Sequence, residues 1–179
     1  MAEAAREEDD DPEPCALECG SAWDGTTRYR VTDLCLYSAC DLTTLAAALV
    51  ARGLVHSDGP RWFDGEEWLE IAGPQWYWRF QAGCEDQRDH PEPEMIALVA
   101  AVETLDPPER AAWDGCSRRV FDLGYDCGVR PFAVRHDLSI ETLSRLAAVG
   151  GSLRLTLYAL DPSDVKHAEP GAAADRGGM

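Results

Sequence analysis

The sequence has no apolar run close to the roughly 20 residues a membrane-spanning helix needs, which excludes a helical integral membrane protein. Residues Met1 to Glu8 have neither a basic start nor an apolar middle, so no secretory signal is read there and a cytoplasmic location is expected. Positive charge is scarce: 16 Lys and Arg stand against 33 Asp and Glu, a net charge of −17. Such a field repels phosphate backbones, which argues against direct nucleic-acid binding, and it hastens encounter with a basic protein. Solubility is the plainer use of the same surplus. Residues 1–24 and residues 25–161 carry −8 each, so tail and body share the excess.

The motifs of common reaction chemistry are also missing. There is no G-x-S-x-G, no H-E-x-x-H, no phosphate-binding Gly-Lys loop and no G-x-G-x-x-G. The seven cysteines are odd in number and include no C-x-x-C pair, so neither a disulfide framework nor a zinc site is expected. Most of these thiols read as small buried hydrophobes. No cofactor, no metal and no enzymatic activity are therefore expected.

What is present is an ordinary globular mixture, 45% apolar and 27% charged over 179 residues, enough to bury a core. Residues 1–24, with an acidic run from Glu7 to Asp11 followed by Pro12 and Pro14, read as a disordered tail. Residues 162–179, rich in Ala, Gly and Pro, read as a flexible extension, leaving residues 25–161 as one domain.

Within that domain the pattern alternates between strand and helix. Arg28–Ser38 is strand-like and imperfectly alternating, as a central strand should be. Asp41 offers an N-cap to a helix carrying Leu42, Leu45, Ala46 and Leu49, stopped by Gly53. A loop punctuated by Gly59-Pro60, Asp64-Gly65 and Gly73-Pro74 leads to a strand containing Trp76, Trp78 and Phe80. Pro91 and Pro93 open a second helix that Asp106-Pro107-Pro108 ends, followed by a short turn. Arg119–Tyr125 forms the third strand, and Ser139 caps a third helix closed by Gly150-Gly151. Leu153, Leu155 and Leu157 alternate with polar residues in the last strand, the cleanest alternation in the chain.

The order β-α-β-α-β-α-β predicts an α+β fold: a ferredoxin-like (split β-α-β) sandwich with a mainly antiparallel four-stranded sheet and three helices. A doubly wound parallel sheet is the second choice. Asp41-Leu42-Thr43-Thr44-Leu45 and Asp137-Leu138-Ser139 with Thr142-Leu143 suggest a duplicated β-α-β unit.

These segments, with Trp76-Tyr77-Trp78, Val120-Phe121-Asp122-Leu123-Gly124-Tyr125 and the closing Leu153 to Tyr158, span residues 28–160 in a familiar order. In this the chain resembles the bacterial family catalogued as domain of unknown function 4279. The resemblance implies a small bacterial α/β domain without an established activity and supplies no catalytic residues.

Function is sought in the remaining features. Trp62, Phe63 and Trp68 lie among Asp64, Glu66 and Glu67 in a segment read as a loop. Aromatic anchors ringed by acids suit a basic protein surface. The leading expectation is an acidic protein-binding domain, such as an inhibitor or immunity-type protein for a basic toxin or nuclease. The alternatives are a nucleic-acid mimic or accessory subunit of a larger bacterial assembly, and a small-molecule sensor or uncharacterised enzyme. Asp122 and Asp126 are the candidate acid–base pair for that last reading, whereas Asp41 and Asp137 sit where helix capping accounts for them.

Overall fold

The computed structural model describes residues 26–63, 74–83, 89–128, 130–131 and 133–159. Its elements are β1 (Arg28–Ser38), α1 (Thr43–Ala51), β2 (Leu54–Phe63), β3 (Gln75–Ala82), α2 (Pro91–Glu103), α3 (Pro107–Asp114), β4 (Arg118–Asp126), α4 (Ile140–Ala148) and β5 (Ser152–Tyr158). The fold is α+β, with a five-stranded sheet in the order β2-β3-β1-β4-β5. Neighbours run antiparallel except β4 and β5, which are parallel. The expected four-stranded antiparallel sheet with three helices is thus corrected to a five-stranded mixed sheet with four helices.

Two elements account for the difference. Residues 54–63 form edge strand β2, not a loop, because bulges between His56 and Asp58 and between Asp58 and Arg61 absorb the Gly59-Pro60 break. A proline is tolerated on an edge strand, where its missing N–H costs no ladder bond. Residues 107–114 form helix α3, not a turn: Asp106 precedes it, prolines fill its first turn, and the Asp106 N–H donates to the Glu109 carboxylate at 2.9 Å. Asp106-Pro107-Pro108 both ends α2 and begins α3, since proline is unfavourable inside a helix and favourable at its first position.

The likeness between the two β-α-β segments does not extend to their pairing. β1 and β2 run parallel with β3 between them, whereas β4 and β5 are adjacent. β1 is central as expected, and every residue from Thr32 to Ser38 is buried.

All four helices contribute to one core on one face of the sheet. Leu45 and Leu49 of α1, Met95, Leu98 and Val102 of α2, Trp113 of α3 and Leu146 of α4 join Leu34, Phe80 and Phe121 from the strands. Among the described residues, the other face holds a small cluster of Cys35, Tyr37 and Val120 with Tyr77 against it, and no helix. The Ser139 cap follows the expected chemistry, its Oγ accepting from the Thr142 N–H at 3.1 Å. The expected Asp41 cap is corrected: Leu42 occupies the N-cap of α1, and Asp41, one residue earlier, accepts from the Thr43 N–H at 2.9 Å and the Thr43 hydroxyl at 2.7 Å in a local turn.

α2 also braces α4. Glu92 Oε1 accepts from the Ser139 N–H at 2.9 Å and from the Thr142 hydroxyl at 2.8 Å. These bonds, from Ser139 first, hold the Glu92 carboxyl at a pKa of about 2, below the 4.5 of an unperturbed glutamate. A folded-state pKa lower than the unfolded one means that the stabilisation is complete above pH 4.5 and lost as pH falls towards 2. Glu92→Ala is therefore expected to lower the melting temperature at neutral pH and to flatten its acid dependence over that window. Parallel acid titrations of melting temperature for the two proteins check this; curves of identical shape would refute it.

Candidate functional site

Of the six residues expected to form the partner surface, the described residues include two, Trp62 and Phe63. Trp62 stands near the end of β2, opposite Trp76 of β3, with the rings edge-to-face at 5.1 Å between centroids. It is 47% exposed, so the edge-to-face packing holds the indole in place without hiding it. Phe63 follows as the last residue of β2, in register with Gln75. Asp64, Glu66, Glu67 and Trp68 lie outside the described residues. Further along β3, Trp78 and Phe80 are core residues.

The helix-free face is lined by ion pairs. Asp33 lies 3.8 Å from Arg79, Asp58 lies 2.8 Å from Arg61, and Asp122 lies 3.6 Å from Arg154. Asp126 sits 3.5 Å from both Arg28 and Arg30. Asp122 also accepts from the Thr156 hydroxyl at 2.7 Å. Asp122 and Asp126, weighed as an acid–base pair, are here separate partners of arginines on one face of β4. Burial raises the Asp33 pKa even though Gln81 and Arg79 favour its charged form. Burial likewise pushes the Cys35 thiol up to about 12 and the Cys116 thiol up to about 11, so both stay protonated at neutral pH. This fits the small-hydrophobe reading for these two cysteines. Cys40 is exposed and Cys127 half-buried, and Cys15, Cys19 and Cys84 lie outside the described residues.

A cleft of about 520 Å³ opens where β4 ends and the chain returns towards α4. Tyr125, Cys127, Val134, His136, Leu155 and Leu157 line it, with the exposed Arg135 and Asp137 also contributing. Asp137 belongs to this cleft and not to a helix cap, which is the work of Ser139 two residues later. Tyr125 Oη lies 2.9 Å from His136 Nδ1. Burial raises the Tyr125 pKa, and burial followed by the charge of His90 lowers that of His136. Both shifts favour the neutral forms, so the phenol and the imidazole share one hydrogen bond and His136 Nε2 keeps a second polar position. The His90 and His136 rings are 5.0 Å apart.

Behind this pair lies a buried polar relay. The Thr32 hydroxyl donates to Tyr29 Oη, and Tyr29 donates to Glu94 Oε2, each at 2.5 Å. The same carboxylate oxygen accepts from the Thr32 backbone N–H at 2.7 Å. Tyr29 packs edge-on against both Tyr125 and His136, with centroids 5.7 and 5.9 Å away. The cleft thus joins an apolar wall to a few oriented polar groups, the usual make-up of a small-molecule pocket.

Sequence reasoning missed this cluster because its members come from β1, α2, β4 and the segment before α4. The available signal was the Gly128 and Pro131 loop directly after a strand, a common location for functional groups. Among the described residues no three His, Cys, Asp or Glu side chains converge to hold a metal ion. No helix among them is long and apolar enough to cross a membrane. No family model, curated protein or solved structure matches the chain.

Proposed function

We propose that this protein, as a member of the bacterial family it resembles, acts in the cytoplasm by binding and not by turnover. Its partner is a basic protein, and an inhibitor or immunity role against a toxin or nuclease is the most concrete form. The observation that carries the reading is Trp62, 47% exposed and packed on Trp76, directly before Asp64, Glu66 and Glu67. An indole held in one orientation loses little freedom on docking, and nearby carboxylates draw in a basic surface before contact. A nucleic-acid mimic would need rows of unpaired carboxylates, whereas Asp33, Asp58, Asp122 and Asp126 on the helix-free face are each matched by arginine.

The test is a binding screen of the full chain against purified basic bacterial toxins and nucleases, followed by substitution. Trp62→Ala is expected to cost about 2 kcal/mol, a roughly 30-fold weaker Kd, and raising salt should slow association far more than it speeds dissociation. A Kd unmoved by Trp62→Ala but weakened by His136→Ala would overturn this reading in favour of the cleft. A panel with no binder would overturn the toxin or nuclease form.

A further inference from the structure

The longest acid-free stretch in the chain is residues 142–160, 19 residues with two arginines and no Asp or Glu. Elsewhere acids are dense, 33 in 179 residues. That stretch supplies most of α4 and all of β5, which ends the sheet. On the helix side of β5, Leu153, Leu155 and Leu157 are 40%, 61% and 66% exposed, and on the same side α4 leaves Ile140 80% exposed. Natural edge strands are usually protected by charge, proline or a bulge. β5 pairs with β4 without a register shift, contains no proline, and has Arg154 as its only charge.

The direction of its free bonding groups can be read from the ladder. Tyr158 O accepts from the Cys127 N–H at 2.9 Å and so points towards β4. Alternate residues of an extended strand present N–H and C=O to opposite edges, so Leu153, Leu155 and Leu157 present theirs outward. Among the described residues, no strand meets that edge.

We infer that this edge pairs with β5 of a second copy of the chain, antiparallel and centred on Leu155, to make one sheet across two subunits. The register is self-complementary. Leu155 lies opposite its own equivalent and Leu157 opposite the partner's Leu153, so the outward bonding groups meet and an apolar row continues across the two-fold axis. On the other face Thr156 lies opposite the partner's Arg154. Each Arg154 is paired with Asp122 of its own chain, so no like charges are opposed across the seam. Two chains of net charge −17 can approach here because residues 142–160 carry no acid and Asp122 and Asp126 on the neighbouring strand are paired with arginines.

Sedimentation velocity on the full chain over a range of concentrations tests this, with Leu155→Lys and Leu157→Lys as edge variants. Val55→Lys, at a 52% exposed position on the opposite edge strand β2, is the control. The wild type and the control are expected to reach twice the 19.6 kDa chain mass, and each edge variant to self-associate roughly 100-fold more weakly. Hydrogen exchange should show the Leu153, Leu155 and Leu157 amides protected in the wild-type dimer and unprotected in the Leu155→Lys monomer. A wild type that stays monomeric, a dimer broken by Val55→Lys instead, or amides equally protected in the variant monomer would each overturn the inference. The last result would mean that another segment of the same chain covers the edge.

Discussion

Trp113→Ala is expected to cost about 3–5 kcal/mol of folding stability and to lower the melting temperature by roughly 10 °C. The indole is 0% exposed and packs edge-on against Phe121, with centroids 6.5 Å apart. Its Nε1–H donates to Val149 O, the C-cap carbonyl of α4, at 2.8 Å. Arg119 of β4 gathers the end of α3, its Nη1 donating to the carbonyls of Trp113, Asp114 and Cys116 at 3.0–3.2 Å. One side chain therefore joins α3, β4 and α4, and truncating it leaves both a cavity and an orphaned carbonyl. Trp113→Phe, which keeps much of the volume and loses the hydrogen bond, should cost distinctly less. Urea unfolding of the three proteins measures the series; a loss below about 1 kcal/mol for the alanine variant would show that the site collapses around the gap.

Glu94→Leu is expected to cost about 2–5 kcal/mol, with Glu94→Gln far milder. Glu94 is 4% exposed, and its Oε2 receives both the Tyr29 hydroxyl and the Thr32 N–H. Leucine would leave two buried donors without an acceptor, at about 1–3 kcal/mol each. Glutamine can offer its carbonyl to the same two donors. The contrast separates lost hydrogen bonding from lost negative charge: equal costs for the two variants would assign the stability to the charge instead. Tyr29 should also respond, because burial, followed by its bond to Glu94, holds its pKa well above the ordinary tyrosine value. Ultraviolet titration should show that shift shrink in the leucine variant.

The strand cores of β1, β3, β4 and β5 were legible because their residues carry the pattern locally. Phe121, Leu123 and Tyr125 alternate with Val120 and Asp122 whatever lies beside them. The Ser139 cap was legible for the same reason, since it acts within one turn of its own helix. β2 was hidden by Gly59-Pro60, which reads as a break until β3 lies alongside and bulges accommodate it. α3 was hidden by its prolines, which mark the end of one helix and the start of another equally well. β5 misled in another way. Its clean alternation puts the three leucines on one face, which the register with Phe121 and Leu123 makes the helix side, yet at the last place in the sheet they remain exposed.

The same division runs through the candidate sites. Trp62 and its acidic neighbours stand out in sequence because they are adjacent. The Tyr125–His136 pair and the Glu94 relay do not, since Tyr29 and Glu94 are 65 positions apart. By itself the sequence determined the excess of negative charge, the Ser139 helix cap and the alternation of its strands, all set by residues a few positions from one another. Tertiary structure decided strand order, which edge is left open and which polar groups share a cleft, because those depend on contacts between segments distant along the chain.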